Sequence, residues 1–169
     1  GLPFGDEAAA INRAGPRRRK QGADAVGGLI HQGGRTTSDS PQGCDGLTGE
    51  IKPLLDRLNP GVDLVVSGHT HWQYVCEYTR SGDAPAGSAP ILLTSAGVYG
   101  KLVTDITLKI DPVANRVVAR QARNVIVQSP GYASGRGAVP NTALYPAFQP
   151  RADVAAYVDG YVKDAASII

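Results

Sequence analysis

The sequence has no methionine, only two cysteines and only one tryptophan among its 169 residues. It also lacks any run of about 18 apolar residues, which excludes a membrane-spanning helix. The first residues show no signal-peptide pattern, and the absence of methionine predicts a processed product or a piece of a longer polypeptide. Because Cys44 and Cys76 form no Cys-x-x-Cys motif, neither a cysteine zinc site nor a thioredoxin-like role is expected.

Charge is scarce and nearly balanced. Charged residues make up 19% of the chain and the formal net charge is +2, which is too small to predict a nucleic-acid polymer or a membrane surface as partner. The one basic cluster, Arg17 to Lys20, is short, and we interpret it as a solvated helix face. With 42% hydrophobic residues, the length suits one globular domain with a substantial core.

The N-terminal part follows a helix–turn–strand pattern. Asp6-Glu7 is typical of a helix start, and Gly15-Pro16 predicts a kink or an interruption of that helix. The apolar run at 25–30 predicts a strand, and it ends at His31. Residues 33–49 are rich in Gly, Ser, Thr and Asp, which predicts an irregular loop.

A second unit of the same design follows. Thr48 is predicted to cap a helix whose apolar residues recur at helical spacing, namely Ile51, Leu54, Leu55 and Leu58. Residues 62–66 predict a buried strand, which stops at Gly68-His69-Thr70-His71. Helix–turn–strand units in succession predict an α/β fold with parallel strands.

The remainder is predicted to be different in character. Alternating segments between Tyr74 and Ala122 predict antiparallel strands, so the second half is interpreted as a β-meander. Residues 129–150 lack an apolar period and predict an extended connector. Residues 151–169 predict a C-terminal amphipathic helix.

All three histidines, His31, His69 and His71, are predicted to lie just past the carboxyl ends of strands. Ligand groups of open α/β sheets occupy such positions, and neutral imidazole is the commonest transition-metal ligand. They are therefore candidate metal ligands. The alternative is that each is a hydrogen-bonded loop residue.

The two cysteines leave two interpretations open. Cys44 and Cys76 are either unpaired core residues of a cytosolic protein or one disulfide of an exported protein, and we favour the disulfide.

Three segments carry a family resemblance. The segment at 29–34, the Val62–His71 segment with its Gly-His-Thr-His turn, and Ser95-Ala96-Gly97-Val98-Tyr99-Gly100-Lys101-Leu102 resemble the calcineurin-like metallophosphoesterases. More narrowly, they resemble the bacterial 5′-nucleotidase and UDP-sugar hydrolase group. The resemblance implies part of a four-layer α/β/β/α sandwich at residues 1–128, followed by a connector at 129–150. It also implies that 151–169 is a linker helix to a C-terminal substrate domain.

The resemblance implies a dinuclear metal site. His31 and His69 would bind one divalent ion and His71 the other, with Gly68 and Gly97 lining the site. Imidazole and carboxylate ligands suit Zn, Mn, Fe or Co, and the ion identity stays open. The implied reaction is hydrolysis of a nucleotide phosphoester by metal-activated water, as in nucleotide catabolism.

The resemblance is also incomplete, because the upstream Asp-x-His, Gly-Asp-x-x-Asp and Gly-Asn-His-Glu motifs have no match here. No catalytic acid or base is therefore assigned within the chain, and we expect little activity from it alone without an N-terminal half of the catalytic domain as partner. The cysteine placement resembles exported members, which implies a secreted, periplasmic or cell-wall-associated bacterial protein. Two alternatives remain: a metal-binding fragment without catalysis, and a β-rich binding module.

Overall fold

The computed structural model describes residues 2–82, 88–128, 130–166 and 168. The chain forms two compact units, the first ending at Ile126 and the second beginning at Val127. The predicted fold class, mixed α/β with a C-terminal helix, is confirmed. Among the described residues, no helix has the length and apolar character needed to cross a bilayer.

The described residues of the first unit form two helices and six strands. In chain order they are α1 (Glu7–Lys20), β1 (Gly27–Ile30), α2 (Ile51–Asp56), β2 (Leu64–Ser67), β3 (Gln73–Tyr78), β4 (Ile91–Ala96), β5 (Leu102–Asp111) and β6 (Arg116–Ile126). The second unit contains β7 (Tyr132–Ser134), β8 (Gly137–Val139) and α3 (Ala152–Ala166).

A four-stranded sheet organises the first unit, in the order β1-β2-β4-β3. Strands β1, β2 and β4 are parallel, and β3 is antiparallel to β4. The three parallel strands therefore end at one edge of the sheet, at Ile30, Ser67 and Ala96. We call this the carboxyl edge, and the opposite edge, where these strands begin, the amino edge.

The core lies between α2 and this sheet. The predicted apolar stripe of α2 is confirmed, because Ile51, Leu54 and Leu55 are buried. They join Val65, Tyr74, Ile91 and Leu93 in one cluster. Full burial of each aliphatic side chain stabilises the fold by roughly 1.5–3 kcal/mol.

One local prediction about helices is wrong, and of a second, which expected a kink or an interruption of α1, the interruption is wrong. Thr48 does not cap α2: the cap position is Glu50, and Thr48 instead forms an isolated β-bridge with Arg35. Nor do Gly15 and Pro16 interrupt α1, which runs on to Lys20. Tertiary contacts hold its last turn, since the Arg19 guanidinium donates to the carbonyl of Gly61 and to the carboxylate of Asp63.

The antiparallel strands predicted as a meander are divided between two sheets. Strands β3 and β4 belong to the four-stranded sheet, whereas β5 and β6 form a separate two-stranded sheet. In the second unit, residues predicted as an extended connector include the β7–β8 hairpin, and α3 follows it. No side chain of α3 is buried in the described structure.

Candidate functional site

The carboxyl edge brings two of the three histidines together. Ile30 pairs with Ser67 in the register of β1 and β2, so His31 and the turn after β2 emerge side by side. His31 Nε2 lies 3.3 Å from His69 Nδ1. Their ring centroids are 5.0 Å apart and the rings are nearly perpendicular. Both side chains are exposed to solvent.

The turn that carries His69 has an uncommon backbone. His69 and His71 have φ angles of 71° and 58°, in the left-handed region that non-glycine residues seldom occupy. Between them, the Thr70 amide donates to the Gly68 carbonyl over 2.8 Å, and the Thr70 hydroxyl donates to the Gly34 carbonyl over 2.7 Å. Such strain persists only where the surrounding contacts enforce it, and it concentrates at functional sites.

The loop after β1 packs directly on this turn. A Cβ at Gly33 would lie 2.2 Å from the Gly68 carbonyl oxygen and 2.7 Å from the Thr70 hydroxyl oxygen. Only glycine permits that approach. A Cβ at Gly68 would lie 3.8 Å from His31 Nδ1, so Gly68 borders the histidine pair.

A buried hydrogen-bond chain supports the turn from below. The Tyr74 hydroxyl accepts from the Gly34 amide over 3.1 Å and lies 2.7 Å from the Ser67 hydroxyl. The Ser67 hydroxyl donates to the Thr94 carbonyl over 2.9 Å. Because Ser67 and Tyr74 are buried, water does not compete for these hydrogen bonds. The sequence pattern identified neither residue, since it marks Tyr74 only as a strand residue.

The loop at 33–49 is fastened at two further points. A disulfide joins Cys44 to Cys76 of β3, the pairing that we favoured from the sequence. The Gln42 side chain donates to the Asn124 carbonyl and accepts from the Asn124 amide. Asn124 is buried and lies in β6, a position that the sequence did not single out. Covalent and polar contacts thus fix the loop beside the histidines.

The third parallel strand adds an aromatic residue to the same edge. After β4, the backbone is left-handed at Gly97, Tyr99 and Gly100. The Gly97 amide donates to the Trp72 carbonyl over 3.0 Å, which joins this loop to the residue after His71. The Tyr99 and His71 ring centroids are 6.1 Å apart.

The described structure separates the predicted ligands into a pair and a third residue. His31 and His69 are in contact, whereas the His71 ring lies beside Tyr99 and, among the described residues, makes no hydrogen bond or ring contact with the pair. Across residues 2–82, 88–128, 130–166 and 168, no group of three or more His, Cys, Asp or Glu side chains could hold a metal ion. The described residues therefore form no complete set of metal ligands.

The histidine pair fits part of a coordination sphere. Two imidazole nitrogens bound to one tetrahedral ion at about 2.0–2.1 Å lie about 3.3–3.4 Å apart. The observed 3.3 Å matches that spacing and also permits a hydrogen bond between one protonated and one unprotonated ring nitrogen. A full sphere needs at least two more ligands. Two carboxylates have other partners, since Asp63 at the amino edge pairs with Arg19 and Asp105 pairs with Arg123.

Comparison with known proteins gives limited likenesses. No family model matches the chain. It is 27% identical over 126 residues to Endonuclease YhcR of Bacillus subtilis (strain 168), an alignment that covers 75% of this chain and 9% of that protein. A crystal structure of the calcineurin-like phosphoesterase YfkN from Bacillus subtilis superposes with a TM-score of 0.46 at 20% identity. That superposition covers 70% of this chain and 36% of the other. The chain thus spans less than a tenth of the curated relative and about a third of the solved one.

Proposed function

We propose that this chain is part of a metal-dependent phosphoester hydrolase. In this proposal His31 and His69 bind one divalent ion and His71 binds a second. The observation that carries the proposal is the 3.3 Å contact between His31 and His69 at the ends of adjacent parallel strands. The segments that resemble calcineurin-like metallophosphoesterases converge on this edge, and the 27% identical relative is an endonuclease by name.

The chemistry of the donor set supports the same class. Bound divalent ions lower the pKa of water and stabilise the leaving oxygen of a phosphoester. Imidazole nitrogen suits Zn, Mn, Fe or Co better than Mg. The chain's own contribution is to hold the imidazoles: the Gly33–Gly68 approach and the Tyr74–Ser67 hydrogen bond fix the turn that carries His69.

The finer proposal is a 5′-nucleotidase-type activity in a secreted, periplasmic or cell-wall-associated protein. The site would then be completed by carboxylates and a proton-donating histidine from another segment, and the substrate would be clamped by a further domain. The disulfide between Cys44 and Cys76 supports an oxidising compartment.

Metal titration by calorimetry tests the ligand assignment. We expect Zn²⁺ or Mn²⁺ to bind the wild type, and we expect His31→Ala and His69→Ala each to weaken that binding at least tenfold. His71→Ala should leave this first site intact. Val113→Ala, at a 91% exposed position in the β5–β6 turn, is the control for a neutral surface change.

Activity assays separate the proposal from its alternatives. We expect the 169-residue chain alone to hydrolyse bis-p-nitrophenyl phosphate slowly or not at all with Mn²⁺. A longer polypeptide that adds the Asp-x-His and Gly-Asn-His-Glu motifs should hydrolyse it, with loss in His69→Ala. Metal binding without hydrolysis in both would leave a non-catalytic metal-binding protein. Indifference of wild type and variants to metal would leave the β-rich binding module.

A further inference from the structure

We propose that Tyr99 and Lys101 form a substrate subsite beside His71. In this subsite the Tyr99 ring stacks on a planar aromatic group of a phosphate ester and the Lys101 ammonium contacts its anionic oxygens. The inference rests on the proposed function, since it places the phosphorus near the histidines. It adds two residues to which the family resemblance gives no role.

The topology places this pair at the candidate site. His31 follows β1, His69 and His71 follow β2, and Tyr99 follows β4, which is parallel to β2 and adjacent to it. All of these loops leave the carboxyl edge. The Tyr99 ring centroid lies 6.1 Å from that of His71, and Lys101 Nζ lies 5.9 Å from the Tyr99 ring centroid. An imidazole, an aromatic ring and an ammonium group therefore follow one another along the edge.

The backbone holds the Tyr99 ring in the open at an energetic cost. Tyr99 has φ 59°, an uncommon value for a bulky side chain, and 86% of the residue is exposed. A ring this exposed gains little stabilisation from burial. Left-handed Gly97 and Gly100 flank it, so the loop turns sharply on both sides and projects the ring outward. Strain of this kind concentrates at sites that bind ligands, and we infer a ligand contact from its combination with exposure.

The charge distribution selects the ligand chemistry. Lys101 is exposed, and it makes no ion pair among the described residues. The Lys101 ammonium lies over the Tyr99 ring. It can therefore contact the anionic part of a ligand whose aromatic part stacks on that ring. Proteins that bind single-stranded nucleic acids without sequence preference combine aromatic stacking on the bases with cations on the phosphates. The same combination suits a single nucleotide. The shared chemistry is an aromatic ring attached to a phosphate, as in a nucleotide or an aryl phosphate.

Equilibrium binding followed by ligand-observed NMR tests the subsite in the 169-residue chain. The probes are AMP, phenyl phosphate and ribose 5-phosphate, each with diamagnetic Zn²⁺. We expect AMP to bind about tenfold more tightly than ribose 5-phosphate, and Tyr99→Ala to remove that preference. Tyr99→Phe should keep it, whereas Tyr99→Leu, which is apolar but not aromatic, should lose it. Lys101→Gln should lower the binding affinity for all three phosphate probes by a similar factor.

The controls distinguish this inference from the proposed function. Equal affinity for AMP and ribose 5-phosphate, unchanged by Tyr99→Ala, overturns the subsite even if His69→Ala abolishes metal binding. Conversely, an AMP preference that needs Tyr99, found in a chain that binds neither Zn²⁺ nor Mn²⁺, supports the subsite and counts against the metal site of the proposed function. Phenyl phosphate bound as tightly as AMP assigns the preference to any aryl ring, and weaker binding assigns it to the nucleotide base. Tyr157→Ala controls for loss of an exposed tyrosine elsewhere in the chain.

Discussion

The two edges of the four-stranded sheet use polar residues in opposite ways. At the amino edge, the buried Asp63 carboxylate accepts from the Val26 amide over 2.9 Å and from the Arg19 guanidinium over 2.7 Å. Arg120 lies 3.7 Å from the same carboxylate. Buried Arg80 donates to three backbone carbonyls, those of Leu58, Asn59 and Ala89. Every one of these charged groups has a structural partner.

The carboxyl edge differs in both exposure and backbone. His31, His69 and His71 are exposed, and the described contacts of His31 and His69 are with each other. Of the four described non-glycine residues with a left-handed backbone, three lie there, at His69, His71 and Tyr99. The comparison teaches that burial with satisfied partners marks a residue as structural, whereas exposure with enforced strain marks a candidate ligand contact. Four substitutions or conditions test this contrast.

The largest effect is expected at Asp63. Asp63→Ala should lower the free energy of unfolding by about 3–5 kcal/mol, because it leaves Arg120 and Arg19 without their carboxylate in a largely buried place. Urea denaturation measures this change. The matched control is Asp105→Ala, which breaks the exposed pair with Arg123 and should change stability by less than about 0.5 kcal/mol. Equal effects of the two substitutions would remove the distinction between the edges.

The next largest effect is expected from the disulfide. Cys44 and Cys76 are 32 residues apart, and closing a loop of that length stabilises a fold by about 2–4 kcal/mol. The double variant Cys44→Ser with Cys76→Ser should unfold at correspondingly lower urea concentration. Since the bond fastens the site loop, the variant should also bind Zn²⁺ more weakly while still folded. Unchanged metal affinity would show that the polar contacts of Gln42 and Asn124 suffice.

A smaller effect on stability is expected at high pH, through Tyr78 at the amino edge. Burial, with the hydrogen bond to Asp56, raises the pKa of Tyr78 from 10.0 to about 12. The folded chain therefore keeps this proton after the unfolded chain has lost it. The stability contributed by the protonated phenol is complete below pH 10 and is lost as the pH rises through about 12. Tyr78→Phe should flatten the decline of stability between these pH values, and an unchanged slope would contradict the assignment.

The smallest effect is expected at Tyr99, with the opposite sign. Tyr99→Gly should raise the free energy of unfolding by about 0.5–1 kcal/mol, because glycine occupies φ 59° without strain. Tyr99→Ala removes the ring but keeps the strain, so it should not stabilise the fold. Thermal unfolding of the two variants separates relief of strain from loss of the ring. A destabilised glycine variant would mean that the ring packs in solution.

The sequence predicted the fold to the extent that local pattern determines it. The apolar spacing of Ile51, Leu54 and Leu55 predicted the buried face of α2, and the runs before His31 and Gly68 predicted β1 and β2. The continuation of α1 through Pro16 could not be predicted, because distant partners of Arg19 hold the last turn.

The position of the candidate ligands at strand ends was predictable from the sequence, whereas the contacts that support them were not. Histidines at strand ends are visible in a linear sequence, and the parallel register places His31 beside His69. Tyr74, Asn124 and Tyr99 were missed, since their roles depend on contacts with residues far along the chain. Two glycines that flank an exposed aromatic, as at Gly97-Val98-Tyr99-Gly100, are the one local pattern that would have indicated the loop.

The hydrogen bond of the Tyr74 hydroxyl allows the rigidity of the histidine turn to be followed by amide hydrogen exchange, on a timescale of minutes to hours. Gly34 lies outside any helix or strand, yet its amide donates to this buried hydroxyl over 3.1 Å. Its proton should therefore exchange with solvent deuterium as slowly as those of the neighbouring strands, although most loop amides exchange quickly. In Tyr74→Phe the Gly34 proton should exchange fast while the β2 amides stay protected. One amide thus reports whether the histidine turn keeps its support.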